Sequence, residues 1–249
     1  MKIINATWEK RNLGCDAYEI QIERKDLKNF SSIMSELKKQ DFSGAYVTVK
    51  MPVGNLEALH ALEDDGFRFM ETQYKIKNKI AYYQHPRGFM SVLKDVELET
   101  IIKKEDQWEK FILKLTPELF TTDRIYLDPV LNINMSAMRY QNWMRDLVGK
   151  EDTKLIIIKY RKKEFGFHLF RCDYENGILD GILGGIFPEF KNTPLGFIWY
   201  AVIYEYGKQN GFSFFEGAFS SNNLSVFKLF MQSGSSCYDT SYVLRKKYS

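Results

Sequence analysis

Between Asn222 and Gly234 the chain reads NNLSVFKLFMQSG, directly after a largely apolar run from Phe212 to Phe219. A capping asparagine, an amphipathic segment and a terminating glycine therefore follow a buried strand, which predicts a short helix packed behind that strand. Upstream, Thr193 to Asn210 reads as a long helix with Leu195, Ile198, Trp199, Val202, Ile203 and Tyr206 facing inward, ended by Gly211. Thr193 suits the N-cap and Pro194 the first helical position, where its missing N–H has no helical partner. Downstream, Arg245-Lys246-Lys247 reads as a solvated strand tip.

Further out, Gly177 to Phe187 is strand-like, and Leu155–Tyr160 and Phe165–Phe170 flank Arg161 to Glu164 as a hairpin. Met135 to Val148 is helical, Asp123 to Pro129 a short extended piece closed by proline, and Trp108 to Leu115 a helix. The first half alternates in the same way. It has strands at Ala17–Glu23, Ala45–Lys50 and Phe67–Ile76, a helix after Asp26, and another from Asn55 to Asp65 that Gly66 ends. The halves echo each other: Asn55-Leu56 precedes Gly66 as Asn223-Leu224 precedes Gly234, eleven positions in each case (66−55; 234−223). We read residues 1–100 as an N-terminal α/β half and 101–249 as a C-terminal one, joined near Lys77 to Lys110 where charge rises.

Composition sets the bounds. The 249 residues are 45% apolar and 15% aromatic, enough for a full core. A net charge of +3 without an aromatic-interleaved basic stripe argues against nucleic acid. No window approaches a membrane span, and the opening MKIINATWEK lacks a leader pattern, so the expectation is a cytoplasmic protein with no membrane partner. Cys15, Cys172 and Cys237 are far apart and form no metal-like pairs, which reads as three buried thiols.

Strand, turn, long helix, strand, short helix, glycine and final strand is an order that resembles the GCN5-related N-acetyltransferase (GNAT) family. Within it, RIYLDP (Arg124–Pro129), YQNW (Tyr140–Trp143), NNLSVFKLFMQSGS (Asn222–Ser235) and SYVLRK (Ser241–Lys246) resemble the dTDP-fucosamine (dTDP-4-amino-4,6-dideoxygalactose) N-acetyltransferases. The resemblance implies an α/β (α+β) GNAT fold: a mixed central sheet flanked by helices, with a partial GNAT-like half at the N-terminus. It also implies acetyl-CoA, or another acyl-CoA, as donor. The family's phosphate-binding signature, Gln/Arg-x-x-Gly-x-Gly/Ala, falls on Lys191 to Gly196. There Lys191 replaces Gln/Arg and Pro194 the middle glycine.

Implied coenzyme contacts are Lys191, Thr193, Leu195 and Gly196 at the phosphates, and Leu183, Gly184, Gly185 and Ile186 along the pantetheine arm. Gly184-Gly185 fits either close approach of that arm or a structural bulge. Asn223 is the family asparagine near the arm as well as a cap, and Phe230 stands where the family has its general-acid tyrosine. Phenylalanine cannot donate a proton, so Tyr204 or Tyr238 are alternative acids. Asp180 and His168 are candidate bases on strands lining the cleft, although in an alternating strand His168 reads first as a satisfied, half-buried imidazole. On the acceptor side stand Arg124, Tyr126 and His168, with Arg124 pairing either a nucleotide phosphate or Asp128.

The reading is direct transfer to a small amine, a dTDP-amino sugar among them. Acylation of a peptide amine and a CoA-binding module without catalysis remain open, as does a homodimer. Only the C-terminal half is expected to bind CoA.

Overall fold

Period-two runs and capped amphipathic segments fold into strands and helices in both halves of the chain. The computed structural model describes residues 1–85, 89–101 and 105–249. Its first half supplies β1 (Lys2–Asn5), α1 (Thr7–Leu13), β2 (Ala17–Gln21), α2 (Phe30–Lys38), β3 (Tyr46–Pro52), α3 (Leu56–Asp64) and β4 (Arg68–Lys79). There follow α4 (Phe89–Leu93), β5 (Val96–Ile101), α5 (Glu105–Ile112), α6 (Arg124–Leu127) and α7 (Asn134–Leu147). The rest comprises β6 (Thr153–Tyr160), β7 (Lys163–Asp173), β8 (Ile178–Ile186), α8 (Leu195–Gln209), β9 (Phe214–Ser220), α9 (Leu224–Gln232) and β10 (Ser236–Lys247). Among the described residues no helix is long and apolar enough to cross a membrane.

The two caps read from sequence form as expected. Asn55 Oδ1 accepts from the Ala58 amide at 2.9 Å, and Asn223 Oδ1 from the Val226 amide at 3.1 Å. Gly66 and Gly234 follow these helices at φ 92° and 73°, a left-handed conformation that a Cβ disfavours.

Several expectations give way. Asp123 to Pro129 is a helical turn rather than extended, because Asp123 Oδ1 caps the Ile125 amide at 2.9 Å. The segment read as a linker contains β5, which pairs with β6. The β6–β7 hairpin turns on two residues only, Arg161 and Lys162, both at positive φ, as a type I′ turn requires. Of the thiols only Cys172 is buried; Cys15 is half-buried and Cys237 exposed.

Among the described residues ten strands form one sheet, in the order β1-β2-β3-β10-β4-β9-β8-β7-β6-β5. For three strands in each direction the order is symmetric about the antiparallel β10–β4 pair, with β6 and β5 added beyond on one side. Outward on one side come β3 and its parallel neighbour β2; on the other come β9 and its parallel neighbour β8. Strands joined by a short helix are not neighbours: β10 lies between β3 and β4, and β4 lies between β10 and β9. Each half thus lends its last strand to the other.

This interlock overturns the solvated C-terminal tip. Arg245 is buried on β10, where Nε and Nη2 each donate to Asp128 at 2.7 Å, and Tyr46 of β3 donates to the same carboxylate at 2.7 Å. One apolar core joins α8 and α9 to β7, β8 and β9, a second joins α2 and α3 to β2 and β3, and a third joins α5 and α7 to β6 and β7.

Candidate active site

The parallel pair β8–β9 is short. Ile178 to Gly181 register with Phe214 to Gly217, and beyond Gly181 no strand pairs with β8 on that side among the described residues. β9 instead continues along β4, from Gly217↔Ile76 to Ser220↔Gln73. Ile182 is the point of divergence. It is an extra residue between the Phe170↔Gly181 and Leu169↔Leu183 pairs, so the bulge sits there and not at Gly184-Gly185, which stay in register with His168 and Phe167. The two strands splay, and a cavity of about 390 Å³ occupies the gap, lined from both faces of the sheet.

On the α8 face the sheet and helix are locked together by a reciprocal pair. His168 Nε2 donates to the Trp199 carbonyl at 2.8 Å, and Trp199 Nε1 donates to the Phe167 carbonyl at 3.0 Å. Burial, partly offset by that backbone bond, pushes His168 down to about 4, so the imidazole is neutral near pH 7. Gly184 is what lets the helix close: a Cβ there would lie 2.7 Å from Trp199 Cζ2 and 2.9 Å from His168 Nδ1. Asn223, Val226 and Phe230 of α9 line the same side. Phe230 is stacked on Phe219 and Phe215, with Tyr200 edge-on.

Through the gap the lining becomes charged, and much of it comes from the first half. Glu19 (β2), Lys50 (β3) and Glu71 (β4) meet Asp123, Arg124, Arg139 and Tyr140 from α6, α7 and the turn before α6. Lys50 pairs with Glu19 at 3.1 Å, and Arg139 with Glu9 at 2.6 Å. Tyr140 donates to Asp123 at 2.8 Å. Burial and the Arg124 guanidinium push Lys50 down, with Glu19 only partly restoring it. Burial opposes the Glu19 charge, yet Lys50 and Gln21 outweigh it and hold the carboxyl below its ordinary range.

The sequence candidates divide accordingly. Leu183, Gly184, Asn223, Phe230, His168 and Arg124 line the cavity. Arg124 pairs with Glu71 at 3.4 Å and not with Asp128, which Arg245 occupies. Tyr126, Asp180, Tyr204 and Tyr238 do not line it. Asp180 faces Arg171 at 3.7 Å, its carboxyl raised by burial more than Arg171 lowers it. Tyr204 is sealed in a hydroxyl cluster with Tyr200 (2.6 Å), Asn78, Ser233 and Ser235, where burial raises its phenol further. Tyr238 is exposed on β10.

Gly185, Ile186 and the segment to Gly196 continue from the splayed end of β8 to the start of α8. Lys191 Nζ donates to the Glu118 carbonyl. Helical residues begin at Leu195, so Pro194 takes the cap position rather than the first helical one. Thr193 Oγ1 accepts from the Leu195 amide at 3.4 Å. His85 Nε2 bonds Glu205 at 2.7 Å; Pro86 to Gly88, which follow it, lie outside the described residues.

Glu19, Lys50, Glu71 and Arg139 escaped sequence reasoning. The available signal was a charged residue inside an otherwise apolar strand, clearest at Lys50, whose strand is buried at every other position.

No family model matches the chain, and no curated protein matches it. Solved structures do. A functionally unknown conserved protein from Staphylococcus epidermidis superposes with a TM-score of 0.58 at 9% identity, over 94% of this chain and 85% of that one. A GCN5-related N-acetyltransferase from Sphaerobacter thermophilus gives a TM-score of 0.55 at 10% identity, over 99% of this chain and 75% of that one. At such identities the likeness extends to architecture alone: the chain has the GNAT fold, a mixed sheet flanked by helices.

Proposed function

We propose that the protein is an acyl-CoA-dependent N-acyltransferase, with acetyl as the acyl group, that takes a small amine in the charged chamber. The sequence resemblance favours a nucleotide-linked amino sugar. The observation that carries this reading is the free edge of β8 beyond Gly181, opening on a cavity that continues to buried charges. An extended pantetheine arm suits such an edge, since a strand-like ligand gains main-chain hydrogen bonds there. Leu183, Gly184, Gly185 and Ile186 are its partners, with Asn223 and Phe230 across the gap. The amides of Leu195, bonded to Thr193 Oγ1 only at 3.4 Å, and Gly196 open a fifteen-residue helix just after the exposed Thr193 and Pro194, which suits a diphosphate at the positive end of the helix dipole. Thr193 fixes that helix start, and Lys191 adds a cation nearby.

Acyl-CoA, when bound, supplies a thioester whose acyl carbon the amine attacks as the carbon–sulfur bond breaks. The chain contributes by holding the reactants together and by aiming strand amides around Leu183 and Gly184 at the carbonyl oxygen. It must also take a proton from the acceptor's ammonium, so that the free amine can attack. Of the lining carboxylates, Asp123 is held by two hydrogen bonds and Glu19 by one hydrogen bond and the Lys50 ion pair, whereas among the described residues Glu71 has a single one, at 3.4 Å. Glu71 is therefore assigned as the proton acceptor. No general acid is required, because a thiol of ordinary pKa, about 8.5, leaves as thiolate or is protonated by water. Glu71→Gln should lower kcat roughly 100-fold or more, the usual worth of a general base, with CoA affinity retained by calorimetry.

Calorimetry with CoA, followed by incubation of acetyl-CoA with dTDP-amino sugars and mass spectrometry, tests the whole reading. Absence of CoA affinity sinks it. A CoA-binding module without catalysis is the second reading. It is favoured by Phe230 and by the absence of both candidate tyrosines from the cavity lining, and CoA binding without acyl transfer to any amine selects it.

A further inference from the structure

The charged chamber contains one ion pair that is poorly made. Glu9 holds Arg139 at 2.6 Å and also accepts from Asn12 at 2.9 Å. Glu19 accepts from Gln21 at 2.6 Å besides pairing with Lys50, and Asp123 accepts from Tyr140 and from the Ile125 amide. Arg124 differs. Its side chain is only 14% exposed, its one hydrogen bond among the described residues is Nη1 to Glu71 at 3.4 Å, and its buried Nε has no hydrogen-bond partner among them. A guanidinium carries five donors, and leaving them unfilled away from water is costly. Lys50 and Arg139 line the same space and are tightly paired with Glu19 and Glu9, whereas Arg124 has only the longer-range charges of Glu71 and Asp123 to balance it.

We propose that Arg124 is the seat for an anionic group, a carboxylate or a phosphate, carried by the amine acceptor, and that Glu71 beside it faces the acceptor's ammonium. This rests on the transferase reading for the word acceptor, although the anion seat itself does not. A planar guanidinium with free donors binds either anion through charge-assisted, frequently bidentate hydrogen bonds. Lys50 is pushed down first by burial and then by the Arg124 and Arg139 guanidinium groups, and an added anion would offset that second part. The acceptor class is then an amine bearing its own negative charge, and neutral amines of the same size are discriminated against.

The test uses matched pairs, with binding measured by calorimetry at saturating CoA and transfer read by mass spectrometry. One arm compares α-amino acids with their carboxamides. The other compares amino sugar phosphates and dTDP-amino sugars with the free amino sugars. In one arm the charged member should bind at least about tenfold more tightly, the scale of a hydrogen bond to a charged group. The arm in which this happens tells carboxylate from phosphate. Arg124→Gln should remove that preference, and Arg124→Lys should keep part of it; CoA affinity of each variant reports that it is folded. Should either variant not fold, Lys50→Gln is expected to weaken only the charged members.

CoA binding with no charged member favoured in either arm, including binding by none, overturns the anion seat and leaves the transferase reading standing. So does a preference that survives in Arg124→Gln. Loss of CoA binding alone removes the transferase reading, while a charged-ligand preference abolished by Arg124→Gln would still support the seat.

Discussion

Beyond Gly181 and Gly217 the strands β8 and β9 separate, whereas β2 and β3 stay hydrogen-bonded to Gln21↔Lys50 and one step further, where the Ile22 amide donates to the Lys50 carbonyl at 2.9 Å. The two parallel pairs occupy equivalent places in a symmetric sheet, and each is followed by an asparagine-capped helix and a left-handed glycine. What differs is the filling. Behind β2 and β3, Ile20, Val47, Val49 and Met51 pack against Ile33, Leu37, Ala58 and Leu62, all buried, so nothing separates the strands. Behind β8, the Ile182 bulge and the Trp199 indole over Gly184 carry the strand away from β9. A sheet can repeat one pattern twice and open only where a bulge and a large side chain hold it open. We propose that CoA therefore binds the C-terminal half alone.

The largest effect expected concerns the bolt between the regions. Asp128 ties β3 of the closed half, through Tyr46, to β10, through Arg245, and its side chain is fully buried. Asp128→Ala leaves a buried guanidinium without its partner, which should destabilise the fold by about 3–5 kcal/mol. Urea unfolding should keep a single transition, because β4 and β10 cross between the halves. Two separate transitions in the wild-type protein would break the interlocked picture.

A smaller effect sharpens what holds the open side. His168 is buried neutral, depressed from 6.5 to about 4. A depressed folded pKa means that the unfolded chain binds the proton more readily. The stabilisation is therefore complete above pH 6.5 and drains away as pH falls toward 4, by about 3 kcal/mol in total. Stability curves between pH 7 and pH 4, with the His168 ring followed by NMR, check this. An imidazole titrating near 6.5 in the folded protein would mean that the His168–Trp199 lock is not formed.

The same comparison shows what could be read from the chain. Caps and stops at Asn55, Gly66, Asn223 and Gly234 were legible because they depend on neighbours three or four residues away. Strand order was not: nothing local to β10 says that it inserts between β3 and β4. The edge strands β1 and β5 were missed, β1 being four residues and β5 alternating charges with half-buried side chains. In the site, Asn223 and the glycines of β8 carried a pattern. Lys50 stood out only as a lysine in a largely apolar strand and Glu71 not at all, since a charge in a strand looks the same whether it faces water or a buried chamber. Tyr204 misled for the opposite reason. Helix α8 is buried on nearly every side, so an apolar stripe could not tell the cavity from the core.

The most delicate test sets the two capping asparagines against each other. Both accept one amide hydrogen bond at the start of a nine-residue helix, so Asn55→Ala and Asn223→Ala should each cost about 1 kcal/mol in urea unfolding. Only Asn223 lines the cavity. Asn223→Ala should therefore also weaken CoA, by roughly two- to tenfold if one neutral hydrogen bond is lost, whereas Asn55→Ala should leave the calorimetric affinity at the wild-type value. Equal losses of affinity would show that helix stability, not contact with the ligand, governs binding. A loss confined to Asn55→Ala would put the ligand in the half that the structure closes.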